Sequence, residues 1–259
     1  GLAYDQFDGE MDYADMKKMR RNEIMPAPAM MAMAPPPPPP PPAPPPPEQL
    51  GDLKLYRVPQ RTTVAANQMK QTRLIEQHGV PFDRIYTAAY RAWSYPGASD
   101  RQNAAPVLRT RNDKAHMLGL PLPAGSFLIE QDQYGRTMLV GEPTLKDTAE
   151  DEKVELALGS APHVNVVRTV LRAKGDEAFV AALSPALRAR LAAGKQVQRV
   201  EVSNASAAPI TFEVKYYTAG AERIVDADHA LVQIDGRPTF RLTVPANQTV
   251  TLHYTVLDR

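Results

Sequence analysis

The feature that most restricts how this chain can fold is a run of twelve prolines within residues 35–47. Proline lacks a backbone N–H and has a nearly fixed φ angle, so the run cannot occupy a helix interior or a central strand. Such a run adopts polyproline II, and at about 3.1 Å per residue it forms a semi-rigid strut of roughly 40 Å. We therefore predict that residues 1–50 are a disordered or extended leader outside the folded body.

Two functions are open for this leader. The tract is either a spacer or a ligand for an aromatic groove, because polyproline II is already ordered before it docks. Pro35, Pro42 and Pro47 mark the tract as a candidate partner-binding element. Seven of the ten methionines also lie in the leader, including Met30 and its near neighbours. Thioethers favour Cu(I), so a copper-binding leader is kept as an alternative function.

The remainder of the chain shows the two-residue alternation that is typical of strands. We predict strands at residues 53–58, 69–74, 82–88, 107–118, 127–131, 137–140, 154–158, 164–171, 197–202, 210–216, 240–244 and 250–256, with a hairpin turn at 132–136. One helical segment interrupts them. Ser184 and Pro185 form an N-terminal cap signal, Gly194 ends the helix, and Leu187 and Leu191 give it one apolar stripe. We also expect Asp176 to cap a preceding helical turn.

These patterns predict an all-β protein. The expected body is a β-sandwich of two tandem β subdomains with one short helical insertion. The expected boundaries are a leader at 1–50, a first β region at 51–175, the helical insertion at 176–195 and a C-terminal β region at 196–259.

Composition excludes several classes of function. The 30 basic and 29 acidic residues nearly cancel, which argues against a general nucleic-acid binder. Cysteine is absent, so disulfides, a thiolate nucleophile and cysteine zinc sites are excluded. No apolar run approaches the roughly 18 residues needed to span a bilayer. The chain opens at Gly1 without a signal peptide, so we expect a trimmed or processed piece of something longer.

Five segments between residues 120 and 246 resemble a bacterial envelope family, the C-terminal domain of unknown function in mucoidy-inhibitor-A-like proteins. The matching segments are LPLPAGS at 120–126, LVGE at 139–142, EKVELALG at 152–159, VEVSN at 200–204 and LTVPA at 242–246. The resemblance covers residues 51–259. It implies a β-sandwich and a periplasmic or cell-surface location, and it implies no known activity and no catalytic residues.

The candidate contact surface is aromatic. Tyr90, Trp93 and Tyr95 fall in a polar, proline-punctuated stretch at residues 89–106 that we expect to be a loop. Loop aromatics can stack on sugars or anchor a partner, because they bury large areas at low cost in entropy. They can also fold back over the end of the sandwich.

The sequence gives less support to a catalytic or metal site than to the aromatic contact surface. None of the five histidines has a metal-ligand spacing to another histidine or the context of a nucleophile elbow, and His253 is expected on the solvent face of a strand. Asp226, Asp228 and His229 are a tight group of potential cation ligands, but a polar turn explains them more simply. We assign no catalytic residue, metal or cofactor. The predicted function is a non-catalytic envelope module that docks a protein or surface polymer, with an envelope hydrolase as an alternative.

Overall fold

The computed structural model describes residues 48–50, 53–56, 63–71 and 73–257. Residues 1–47 of the predicted leader, including the contact residues Pro35, Pro42 and Pro47 and the methionine group, lie outside the described residues. The last three leader residues, 48–50, form a strand that pairs with Leu53–Leu55, so the folded body begins earlier than the predicted boundary at residue 51. Of the first predicted strand, residues 53–56 are described.

Strands make up 49% of the structure, which confirms the all-β class. Within the described residues the strands are β1 Glu48–Leu50, β2 Leu53–Leu55, β3 Asp83–Arg91, β4 Ser99–Arg111, β5 Gly125–Ser126, β6 Ile129–Gln133, β7 Arg136–Gly141, β8 Thr144–Leu145, β9 Lys153–Ala157, β10 Ala161–Val170, β11 Gln196–Asn204, β12 Ile210–Tyr217, β13 Arg223–Val225, β14 Leu231–Ile234, β15 Arg237–Val244 and β16 Gln248–Leu257. Two short helices, α1 Glu177–Ala181 and α2 Pro185–Ala192, separate β10 from β11.

A ten-stranded sheet forms the body, in the order β13-β16-β11-β10-β4-β3-β12-β15-β14, with β9 also paired to β4. The first half of β4 pairs with β10, and its second half pairs with β3 and β9. The sheet therefore has two parts, which we call the β11 layer (β13, β16, β11 and β10) and the β12 layer (β9, β3, β12, β15 and β14). Strands from both predicted β regions occur in each layer, so main-chain hydrogen bonds join the two regions.

The core lies between the two layers. Alternate residues of each strand point inward, as the sequence predicts for strands with one apolar face. At its centre the Tyr216 ring packs edge-on against Phe240, with centroids 5.9 Å apart, and against Tyr254 of the β11 layer at 5.2 Å. The other core residues of β11, β12 and β16 are fully or almost fully buried: Val200, Val202, Phe212, Val214, Leu252 and Val256.

The helical insertion forms as its sequence signals predict. The Ser184 hydroxyl accepts a hydrogen bond from the Leu187 N–H at 3.3 Å, and Gly194 takes the left-handed conformation with φ +76°. Leu187 and Leu191 are buried in a small cluster with Val197 of β11. The helical insertion therefore packs on the β11 layer through Leu187 and Leu191.

Asp176 occupies the N-cap position of α1 as predicted, and its carbonyl accepts a hydrogen bond from the Phe179 N–H at 3.0 Å. Its side chain does not cap the helix, because the carboxylate accepts a hydrogen bond from the Arg172 N–H at 2.8 Å instead. Another local prediction is wrong. The described residues between 69 and 74 form no strand. Met69 is 94% exposed there, so the weak alternation has no sheet face to bury.

The long fourth strand also departs from prediction. The loop predicted from the polar, proline-punctuated stretch at 89–106 is wrong over residues 99–106, which belong to β4. Proline in a central strand removes a ladder hydrogen bond. Pro106 lies inside β4, close to where its partner changes from β10 to β9, and its carbonyl accepts from the Leu158 N–H at 2.9 Å. β4 ends at Arg111, and a 3-10 turn at Lys114–His116 replaces the predicted end of the strand.

The hairpin predicted at residues 132–136 is confirmed. β6 and β7 pair in antiparallel fashion around Tyr134 and Gly135, which have φ angles of 53° and 71°. Two successive positive φ angles are the requirement of a type I′ turn, and a glycine at the second position meets it at little cost.

A charged cluster on the outer face of the β12 layer joins its strands. Glu213 of β12 is fully buried and accepts hydrogen bonds from both Nη atoms of Arg109 on β4, each at 2.8 Å. Arg241 of β15 donates to Glu213 at 2.8 Å from the other side. Arg109 also donates to Glu155 of β9 at 2.7 Å. We call Arg109, Glu155, Glu213 and Arg241 the Glu213 cluster.

The cluster holds Glu213 in its charged form. Burial alone would raise the pKa of Glu213, but hydrogen bonds from Arg109 and Arg241 outweigh it and lower the pKa to about 2, from an ordinary value of 4.5. A depressed pKa in the folded state means that the stabilising effect is present above about pH 4.5 and is lost as the pH falls toward 2. The difference corresponds to about 3 kcal/mol.

We predict that Glu213→Gln lowers the free energy of unfolding at pH 7 by about 3 kcal/mol, because Arg109 loses its main counter-charge in a buried setting. Urea unfolding measured from pH 7 to pH 2 should also show a flatter acid dependence for the variant than for the unmodified chain.

Glu201→Gln is the matched control. Glu201 pairs with Arg199 on β11, where both side chains are partly exposed, so its loss should change stability by less than about 1 kcal/mol. Equal destabilisation by the two substitutions would contradict the role given to the Glu213 cluster.

Candidate partner-binding surface

The segment that joins β3 to β4, residues 92–98, crosses from one layer to the other at one end of the sandwich. β3 ends beside β12, and the Ala92 N–H donates to the Tyr217 carbonyl at 2.9 Å. β4 then begins beside β10, where Ser99 faces Thr169. The connection therefore lies over the end of the core and is shorter than the loop predicted at 89–106.

The structure separates the three predicted contact residues. Tyr90 belongs to β3 and is buried, with the Arg168 guanidinium 4.6 Å above its ring and the Tyr216 ring 6.4 Å away. The expectation that Tyr90 is a loop residue is wrong, because β3 continues through Arg91 along β12. Trp93 and Tyr95 do lie on the connection, in an edge-to-face pair with centroids 4.8 Å apart.

A tight turn sets the position of Tyr95. The Ala98 N–H donates to the Tyr95 carbonyl at 3.0 Å, and Gly97 has φ +82°. Proline followed by glycine with a positive φ is typical of a type II turn. The Gly97 N–H also donates to the Val170 carbonyl at 2.8 Å, which fixes the turn to β10.

A chain of buried and half-buried polar groups holds the other half of the connection. Gln198 of β11 is fully buried; its Nε2 donates to the Ala92 carbonyl at 2.6 Å, and its Oε1 accepts from the Tyr254 hydroxyl at 2.7 Å. Gln196 accepts from the Ser94 N–H at 3.2 Å and donates to the Ser94 carbonyl. We call Gln196, Gln198 and Tyr254 the glutamine relay.

The relay keeps one arrangement at neutral pH. Burial raises the pKa of Tyr254, so its hydroxyl remains a donor to Gln198. Since a buried amide must satisfy both its oxygen and its nitrogen, Gln198 favours a single position of the connection. The aromatic pair is therefore held in place before any partner arrives.

Trp93 and Tyr95 extend a wider aromatic surface. Tyr95 is 73% exposed, and Tyr217 at the end of β12 is 48% exposed. A cleft of about 610 Å³ lies between Trp93 and Tyr217, with Arg91 and Glu222 in its walls. A smaller cleft of about 200 Å³ also reaches Trp93 and is lined by Pro96 and Gly194, among others. We call Trp93, Tyr95 and Tyr217 the aromatic end.

Sequence reasoning missed Tyr217. The alternation through β12 carries the signal for it, since Phe212, Val214 and Tyr216 point inward and the next residue must point outward. The Arg237 guanidinium lies 4.5 Å above the Tyr217 ring and donates to its hydroxyl at 3.1 Å. This contact fixes the orientation of the ring at the cleft.

The possible cation ligands are engaged with each other. Asp228 Oδ1 lies 2.7 Å from His229 Nδ1, and its Oδ2 lies 2.9 Å from His253 Nδ1. Asp226 pairs with Arg190 of α2 at 2.8 Å. Across the residues that the structure describes, no group of three potential ligands could hold a metal ion. His253 lies on the outer face of β16 as predicted, but Asp228 covers much of it.

A third cleft, of about 550 Å³, is lined by charged side chains that include Arg109, Lys153 and Asp83. Arg109 is held by the Glu213 cluster, and Lys153 pairs with Asp235. These cations already have partners, so the cleft offers a weaker binding surface than the aromatic end.

Comparison with protein-family models, with curated proteins and with solved structures finds no match to this chain. The resemblance to mucoidy-inhibitor-A-like envelope proteins therefore stays a prediction. Neither helix of the described part has the length and apolar character needed to cross a bilayer.

We predict that Gln198→Leu lowers the free energy of unfolding by about 2 kcal/mol, because it leaves the Ala92 carbonyl and the Tyr254 hydroxyl without their buried partner. Trp93 is the chain's sole tryptophan, so its fluorescence reports directly on the connection. Its emission should shift to the red as the connection loosens.

Gln233→Leu, at an exposed position of β14, is the control for the change in side-chain type and should alter neither quantity appreciably. An unshifted Trp93 emission in the Gln198 variant would show that the relay does not position the connection.

Proposed function

We propose that this protein is a non-catalytic module of the bacterial cell envelope that docks a protein or surface-polymer partner through its aromatic end. The observation that carries the proposal is an aromatic pair, half-buried Trp93 and exposed Tyr95, on a connection that is held by a buried hydrogen bond from Gln198. Surfaces of this kind bind with little loss of side-chain entropy, because the aromatic groups are already ordered.

The chemistry of the aromatic end supports a role in binding. Aromatic faces provide apolar contact area, while the Tyr217 hydroxyl and the Arg91 guanidinium provide hydrogen-bonding groups among the residues that line the cleft. Binding sites combine a mainly apolar wall with a few polar groups in the same way.

The charged groups give little support to hydrolysis. Glu213 is the most strongly perturbed carboxyl group described, and it is fully buried beneath two arginines. A general acid needs a raised pKa and access to substrate, whereas Glu213 has a lowered one. The periplasmic or cell-surface location belongs to the proposal and is motivated by the five matching sequence segments.

We predict that Trp93→Ala reduces capture of an envelope partner by roughly tenfold or more, because aromatic anchors at the centre of an interface dominate its binding energy. The full chain is immobilised and incubated with a bacterial envelope extract, and bound proteins and polymers are quantified. Circular dichroism should show that the variant keeps its β structure.

Tyr134→Ala serves as the control, because Tyr134 is 93% exposed at the tip of the β6–β7 hairpin and lies outside the aromatic end. Capture should be unchanged in this variant. Capture that survives Trp93→Ala undiminished would remove the aromatic end as the contact surface.

A further inference from the structure

The proline tract has a ligand chemistry of its own. Twelve of the thirteen residues at 35–47 are proline, and none of the thirteen is charged. Proline offers a carbonyl acceptor but no backbone donor, so a site for the tract must supply donors together with apolar faces. Aromatic-lined grooves recognise polyproline II in this way, and the ligand loses little entropy because its conformation is already formed.

The aromatic end has the complementary chemistry. Clefts of about 610 Å³ and 200 Å³ are both lined by Trp93, so this residue borders two neighbouring clefts. Polyproline II repeats every three residues, and successive turns can place prolines in neighbouring clefts beside an aromatic side chain. The Trp93 indole N–H and the Tyr95 hydroxyl are donors that suit proline carbonyls.

The point where the tract joins the body lies at the other end of the sandwich. Glu48, the residue after the tract, pairs with Leu55 in the β1–β2 hairpin. The next residue, Tyr56, donates its hydroxyl to the Pro121 carbonyl at 2.8 Å. The adjacent carbonyl of Leu120 accepts from Asn112, which directly follows the end of β4.

The aromatic end, in contrast, lies where β4 begins. β4 has thirteen residues, which at about 3.3 Å per residue separates the two ends by up to roughly 40 Å. The tract is attached to the body at one end of β4, and the aromatic end lies at the other. This arrangement suits head-to-tail association, in which the aromatic end of one copy binds the tract of the next.

We propose that the aromatic end binds the proline tract of a second copy of this chain, at residues 35–47. This inference rests on the proposed function, because it uses the same surface and names a partner for it. Contacts to an uncharged tract do not depend on ion pairing, so the association should change little between low and high salt.

Complementary variants of the full chain test this proposal. One variant has every proline of residues 35–47 replaced by serine, which removes the tract but keeps the aromatic end. The other is Tyr95→Ala, which removes an exposed ring but keeps the tract. Tyr134→Ala is the control. Sedimentation velocity is measured on each protein alone and on an equimolar mixture of the two variants, at concentrations up to about 1 mM to detect weak binding.

The unmodified chain and Tyr134→Ala should associate as concentration rises. The serine variant should remain monomeric, and Tyr95→Ala should weaken association by roughly tenfold or more. The mixture should form mainly a dimer of the two variants, because the serine variant supplies the intact aromatic end and Tyr95→Ala supplies the tract. The dimer should persist in high salt.

Three results would overturn the proposal. An unmodified chain that stays monomeric would exclude association through the tract, and association retained by the serine variant would assign it to another surface. A shift in Trp93 emission between the unmodified chain and the serine variant, with both monomeric, would indicate binding of the tract within one copy.

The failure of this inference can be distinguished from the failure of the proposed function. Capture of an envelope partner that depends on Trp93, with the full chain monomeric, would leave the proposed function intact and reject this inference alone.

Discussion

The shared strand β4 is the constraint on which the rest of the structure depends. Its first half pairs with β10 and its second half with β3 and β9, so a single strand belongs to both layers of the sandwich. Separating the layers would require breaking a continuous strand rather than an apolar contact alone. Pro106 lies close to the change of partners, where a missing backbone donor is easier to accommodate than in the middle of an uninterrupted ladder.

The position of the aromatic end follows from this constraint. Because β3 lies in one layer and β4 starts in the other, the connection between them must cross the end of the core. Its polar backbone then lies over apolar side chains and needs partners from the layer it reaches. Gln198 and Gln196 of β11 supply them at Ala92 and Ser94. A fully buried glutamine among valines is otherwise costly, and the hydrogen bonds to the connection and to Tyr254 offset that cost.

The sequence predicts much of this fold because most strands have one buried face. The residues at 197–202, 210–216, 240–244 and 250–256 alternate strictly, and each run falls inside a strand of the structure. The helix signals at Ser184 and Gly194 are local and act through the chain's own hydrogen bonds, so they are also readable. The prediction fails at residues 99–106. The proline and polar residues there favour a loop locally, but pairing with strands distant in the sequence overrides that preference.

The candidate site is only partly visible in the sequence for the same reason. Trp93 and Tyr95 are recognisable from the proline and glycine that follow them, which form a turn through local contacts. Tyr90 is three residues away and shares the same chemistry, but parallel pairing with β12 draws it into the core. Tyr217 and the glutamine relay come from segments more than one hundred residues later, so only the folded chain brings them to Trp93.

The balance of charges also limits which forces could drive the binding that we propose for the aromatic end. Glu213 and Asp228 are each surrounded by their own cationic or histidine partners, and the net charge of the chain is +1. Long-range electrostatic attraction can therefore contribute little to the capture of a partner. If the aromatic end binds a partner as proposed, its affinity would come from apolar contact and from the low entropy cost of an ordered site. The type II turn and the glutamine relay provide that order, so in the proposed binding the hydrogen bonds under Trp93 would serve recognition as well as stability.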